Sequence, residues 1–161
     1  MEEITYTPIG VIHTPFKETE GTPIQPAGGK GISGVVEVLP EYGDGLKDLE
    51  GFSHIILLYH FHLSAGYSLE VKPFLDDVLR GVFSTRAPRR PNAIGLSVVR
   101  LVRVEGCTLH LEDVDMVDGT LLLDIKPYVP EFDAPEVERI GWLTAQVRRA
   151  GDMKADERFR K

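Results

Sequence analysis

The run Leu96-Ser97-Val98-Val99-Arg100-Leu101-Val102-Arg103-Val104, then Glu105-Gly106-Cys107, then Thr108-Leu109-His110-Leu111-Glu112-Asp113-Val114-Asp115-Met116, decides the fold class. Aliphatic and β-branched residues crowd both flanks, a composition that suits a pleated, half-buried surface, and Glu105-Gly106 between them is a turn signal. Two strands are expected, Leu96–Val104 and Thr108–Met116. Further on, Asp118-Gly119 separates Val117 from Thr120. A two-residue Asp-Gly link is the usual sequence of a type I′ turn, where both residues need positive φ. Leu121–Ile125 should then return antiparallel to Thr108–Met116.

More strands appear on moving toward the N-terminus. Ser53–His62 places Ile55, Leu57, Tyr59 and Phe61 on one face, and His54, Ile56, Leu58, His60 and His62 on the other. Gly34–Leu39 is short and β-branched. Ile4–His13 alternates loosely, and Pro8 confines it to an edge or a bend. Helix is scarce: Pro135 can start one, with Val137, Ile140, Leu143 and Val147 near helical spacing through Arg149, although Gly141 weakens it. The reading is a mainly β, single-domain protein, a closed or partly closed barrel of short strands with a few short helices, one near the C-terminus. The domain is expected to span residues 1–145, with 146–161 as a tail and no second domain.

Composition narrows the class. The 161 residues are 42 % apolar and 27 % charged, ordinary values for a globular chain and not for a disordered one. The single cysteine, Cys107, excludes an internal disulfide framework and a multi-cysteine zinc site. The longest apolar run, Ile55–Tyr59, is far too short to span a bilayer, and Met1-Glu2-Glu3 does not begin a signal peptide. A cytoplasmic protein without membrane contact is the expectation.

The net charge of −7 conceals a segregation. Six arginines and no acid lie between Val78 and Val104, whereas ten acids and one lysine lie between Glu105 and Glu138. A local basic patch on an acidic chain still captures anions, because screening limits the reach of distant charge to roughly 8–10 Å. The same arginines could instead answer the acidic strands beside them.

Several motifs are set aside. Gly29-Lys30-Gly31-Ile32-Ser33-Gly34 has the spacing of a dinucleotide fingerprint, but a Pro-rich stretch precedes it and a β-branched run follows, so the required strand and helix are missing. His60-x-His62 is half of a metal site at most; Asp113 and Asp115 could complete it, yet nothing in the spacing demands that, and no metal is expected. Cys107 lacks a nucleophile motif.

The segment Arg86-Ala87-Pro88-Arg89-Arg90-Pro91-Asn92-Ala93-Ile94-Gly95-Leu96-Ser97 is different. Two prolines stiffen a loop that carries three guanidiniums, so gripping a carboxylate or phosphate costs it little entropy. A binding loop is the better account than a decorated surface turn.

The chain resembles the TsaA-like, TrmO-type family of S-adenosylmethionine-dependent tRNA methyltransferases. Carrying the resemblance are Ile9-Gly10-Val11-Ile12 with Pro15-Phe16, Gln25-Pro26, Phe52-Ser53-His54, Phe61-His62, Gly81 through Arg86, Arg90-Pro91-Asn92 with Ile94-Gly95, and Asp115 through Asp118-Gly119-Thr120 to Asp124-Ile125-Lys126-Pro127-Tyr128. The likeness implies a β-barrel enzyme that methylates N6 of threonylcarbamoyladenosine at position 37, in the tRNA anticodon loop. It implies an S-adenosylmethionine pocket at Gln25, Pro26, Ala27, His62, Leu63, Arg86, Leu96, Glu112, Asp113, Val114 and Asp115. It also implies a homodimer with that pocket near the interface. His62 and Asp115 are the candidates for a catalytic base, Arg86 for the cofactor's carboxylate, and Arg89 and Arg90 for RNA phosphates. Many relatives carry a further C-terminal domain, and only about thirty residues follow Tyr128 here. A module that binds S-adenosylmethionine or a small anion without methylating RNA is the alternative.

Overall fold

A computed structural model of the chain describes residues 1–24, 26–147 and 154. The strands are β1 (Gly10–His13), β2 (Ser33–Val38), β3 (His54–His60), β4 (Glu70–Val71), β5 (Arg80–Gly81), β6 (Ile94–Glu105), β7 (Thr108–Glu112) and β8 (Thr120–Pro127). Six of them close into a barrel in the order β1-β2-β7-β6-β3-β8, while β4 and β5 form a small separate ribbon. Every pairing is antiparallel. Closure leaves none of the six with an open edge.

Alternation decides what fills the barrel. Ile55, Leu57 and Tyr59 of β3 point inward, as do Gly95, Ser97, Val99 and Leu101 of β6. With Ile12, Val36, Leu109, Leu111 and Leu122 they make one core. The long strand β6 reaches both neighbours because it bends at a bulge: Leu101 faces Leu111 and Arg103 faces His110, so Val102 is the extra residue.

Several expectations need correcting. The turn at Asp118-Gly119 does not return the chain to β7; β8 pairs with β1 and β3 instead. Only Gly119 has positive φ, at 81°, whereas a type I′ turn needs it at both residues. The preceding strand stops at Glu112, not Met116, because Asp113 takes φ 66° and turns residues 113–119 across the end of the barrel. Asp118 anchors that crossing by accepting a hydrogen bond from the Thr14 backbone N–H at 3.0 Å.

The first strand begins at Gly10 and not Ile4, with Ile9 N–H already bonded to the Leu122 carbonyl and Pro8 unable to extend the ladder. No α-helix runs from Pro135. Gly141 sits at φ 58°, which an α-helix cannot hold, and a 3₁₀ turn over Gly141–Ala145 stands in its place. That turn and the four-residue α1 (Pro130–Asp133) are the helical elements near the C-terminus among the described residues. Residues 148–149, where the expected helix would end, and most of the tail lie outside the described residues. No described helix is long and apolar enough to cross a membrane.

Candidate functional site

One end of the barrel opens into a cavity of about 770 Å³. The end of β3, the start of β6, the crossing segment 113–119 and the start of β8 form its floor. The arginine loop and residues 142–147 form its walls. This size lies within the usual range of small-molecule sites.

A chain of hydrogen bonds runs through the floor. Ser97 donates to Asp115 Oδ1 at 2.6 Å, and Tyr59 OH lies 2.9 Å from Ser97 Oγ. With Asp115 ionised, the serine proton is committed to the carboxylate and the phenol is the donor in the second bond. Ser97 is only 1 % exposed and Tyr59 6 %. The register makes the contact possible: Leu57 faces Ser97 and Tyr59 faces Gly95, so the tyrosine reaches its diagonal neighbour across the sheet. Phe61 holds the ring edge-on, with centroids 5.6 Å apart at 82°.

Burial dominates the ionisation of these groups. Protein packed around the Asp115 carboxyl pushes its pKa up to about 7, against the opposing pull of the Ser97 hydrogen bond, its own backbone N–H and the Arg86 charge. Burial and the nearby Asp115 charge drive Tyr59 far upward, so it stays a protonated donor. His62 moves the other way, lowered by burial and by the neighbouring His60. Thr120 Oγ1 donates to the Val117 carbonyl at 2.5 Å and therefore accepts from His62 Nδ1 at 3.4 Å. That assignment leaves the lone pair on Nε2.

The sequence-derived residues divide between the cavity and its surroundings. His62, Leu63, Arg86, Leu96, Asp115 and Arg90 line it. Pro26 and Ala27 lie outside its lining, in a 3₁₀ turn whose last residue, Gly29, packs on the Val114 carbonyl. Val114 is fully buried, and Asp113 accepts a hydrogen bond from Gly31 N–H at 2.7 Å. Glu112 points to the opposite side, toward a shallower depression and within 3.8 Å of Arg100. Gln25 lies outside the described residues. Among the described residues no three His, Cys, Asp or Glu side chains come together as a metal site.

The arginines also separate. Arg100 and Arg103 meet Glu112 and Glu105 on the barrel wall, and Arg80 grips Asp76. Arg90 donates to the Thr85 and Ala87 carbonyls at 3.0 Å each, stapling its own loop. Arg89 does not line the cavity, and its Nε is buried. Arg86 is the guanidinium whose charge reaches Asp115.

Sequence reasoning missed Ser97, Thr120 and Trp142 as parts of this site. A usable signal existed for Ser97, a lone hydroxyl in the inward register of Val99 and Leu101. None existed for Trp142, which reaches the cavity because its indole N–H bonds the Ser84 carbonyl at 2.8 Å and Arg80 stacks 5.5 Å from its ring.

Comparison with known proteins adds the following. The family described as the tRNA-methyltransferase O N-terminal domain matches residues 11–134. A Pyrococcus abyssi protein named "Probable S-adenosyl-L-methionine-binding protein" is 56 % identical, over 97 % of this chain and 85 % of its own length. The human tRNA (adenine(37)-N6)-methyltransferase is 40 % identical, over 80 % of this chain and 31 % of its own. The crystal structure of TrmO from Pseudomonas aeruginosa superposes with a TM-score of 0.74 at 42 % identity, covering 87 % of this chain and 62 % of that one. The chain thus spans about a third of the human enzyme and under two thirds of the solved bacterial one.

Proposed function

The chain belongs to the tRNA-methyltransferase O N-terminal domain family, and from that premise we propose that it is an S-adenosylmethionine-dependent methyltransferase acting on N6 of adenosine 37 in tRNA. Its preferred acceptor is the threonylcarbamoylated base. The names of the relatives support the reaction class, and the cavity supports the chemistry. The observation that carries the reading is a shielded carboxyl, Asp115, beside a guanidinium, Arg86, at the floor of a cavity of about 770 Å³.

The residues present fit the cofactor. Its carboxylate needs a cation that Arg86 supplies, and its apolar portions need a wall that Leu63 and Leu96 supply. Pro26 and Ala27 belong to the same proposed pocket, since the turn they open brings Gly29 against Val114 and Gly31 N–H onto Asp113, and by sequence Gln25 is assigned with them. The cofactor supplies an activated methyl group on a cationic sulfonium and leaves as a neutral thioether.

The protein's own task is alignment and proton management. The N6 nitrogen of a carbamoylated adenine is a poor nucleophile whose N–H is acidic, so a base near neutrality helps. Asp115, with a pKa of about 7, has that property. His62, neutral with its lone pair on Nε2, is the second acceptor at the cavity wall. Arg89 and Arg90 sit on the loop that would face the phosphates of a splayed anticodon loop. A cytoplasmic homodimer completes the proposal.

The test is methyl incorporation into tRNA by the purified chain. Transfer supports the reading. Cofactor binding with no transfer to any tRNA would favour a binding module instead.

A further inference from the structure

We propose that Tyr59 and Ser97 are positioning residues for Asp115, a directed hydrogen-bond chain that fixes the carboxylate in place and keeps it able to take one proton from the substrate nitrogen. The inference rests on the methyltransferase reading for its substrate, but the chain itself is a property of the barrel floor.

Three observations carry it. Ser97 occupies an inward position of β6 where its neighbours in register, Val99 and Leu101, are aliphatic, and a buried hydroxyl there is unfavourable unless it is bonded. Its bonds run in one direction, from Tyr59 OH to Ser97 Oγ and from Ser97 Oγ to Asp115 Oδ1. The tyrosine in turn occupies space that a single glycine leaves open: a Cβ at Gly95 would stand 2.2 Å from Tyr59 Cε2 and 2.6 Å from Cζ. The backbone has been cleared to seat this ring.

The chain opposes the cost of burying the carboxylate. Charge-assisted donation from Ser97 lowers the Asp115 pKa, as does the Arg86 charge, while burial raises it. The other titratable residues lining the cavity among those described are Tyr59, His62 and Arg90. Without the serine proton, burial would raise Asp115 further, and a smaller share of it would be ionised to act as a base at neutral pH. In the reaction, the N6–H bond breaks and its proton passes to Asp115, while the N6 electron pair bonds the methyl carbon. The carbon–sulfur pair stays on sulfur, and Asp115 later releases the proton to water.

The test uses two conservative variants, Ser97→Ala and Tyr59→Phe, each removing one hydroxyl. The Asp115 carboxyl is followed by ¹³C NMR in the full chain without RNA, and single-turnover methylation is followed against pH. The account expects Ser97→Ala to raise the Asp115 midpoint by about one unit and to move the rising limb of the rate profile to higher pH by the same amount. Tyr59→Phe should shift both in the same direction by less, and Ser97→Thr, which keeps the hydroxyl, should restore them. An Asp115 midpoint that stays put in both folded variants overturns the proposal. So does a shifted midpoint with superimposable rate profiles. If the unaltered chain methylates nothing at any pH while the midpoint still shifts, the substrate reading fails and the hydrogen-bond chain stands.

Discussion

Gly95 lies directly against the ring of Tyr59: across the β3–β6 pair the two are register partners, and a methyl group on Gly95 would come within 2.2 Å of Tyr59 Cε2. The contact lies on the ring itself, the part of the side chain least able to move aside. Gly95→Ala should therefore push Tyr59 off Ser97 and destabilise the barrel by about 1–3 kcal/mol, the usual cost of overpacking. Chemical denaturation measures this, and an unchanged midpoint would mean that the ring relocates freely.

Asp115 places a stability cost at the site that can be read against pH. Its folded pKa of about 7 exceeds the unfolded value of 3.8, so the folded state holds the proton more tightly. That preference is fully present below about pH 4 and is lost as pH rises through 7. Asp115→Asn keeps the acceptor for Ser97 but cannot ionise. The variant should match the wild type near pH 4 and exceed it by about 2–4 kcal/mol at pH 8. Thermal unfolding at the two pH values checks this, and parallel curves would show that Asp115 ionises as freely as in the unfolded chain.

Arg86 is assigned to the carboxylate of the cofactor. A charged hydrogen bond of this kind contributes about 1.5–3 kcal/mol, so Arg86→Ala should weaken S-adenosylmethionine binding by at least about tenfold in calorimetry. Normal binding would remove the assignment.

Trp142 lies beyond the family-matched residues 11–134, yet with Leu143 and Val147 it walls the cavity. Its indole is fixed by the Ser84 carbonyl and by Arg80, which is itself held by Asp76 at 2.6 Å. Trp142→Ala should lower cofactor affinity by about fivefold, near 1 kcal/mol, while the six-stranded barrel keeps its melting temperature. Unchanged affinity would place this segment outside the working pocket.

Much of the barrel was legible because alternation is a local property. The inward set Ile55, Leu57 and Tyr59 is readable from period two alone, and Glu105-Gly106 announces the β6–β7 turn. The destination of β8 was not. Asp118-Gly119 suggests a local hairpin, but Asp113 turns the chain at φ 66° and Asp118 bonds Thr14, about a hundred residues away in sequence. Partner choice among strands depends on such distant contacts. The site shows the same limit: Arg86 and Asp115 stand out in their segments, whereas Ser97 shows in sequence only as a lone inward hydroxyl, and its role comes from Tyr59 diagonally across the sheet and from Asp115.

The most direct measurement is nucleoside mass spectrometry of tRNA incubated with the chain and S-adenosylmethionine, with and without the threonylcarbamoyl group on adenosine 37. The account predicts a gain of one methyl on threonylcarbamoyladenosine alone. Equal methylation of both RNAs would contradict the acceptor specificity, and no gain on either, with cofactor bound, would contradict the methyltransferase reading itself.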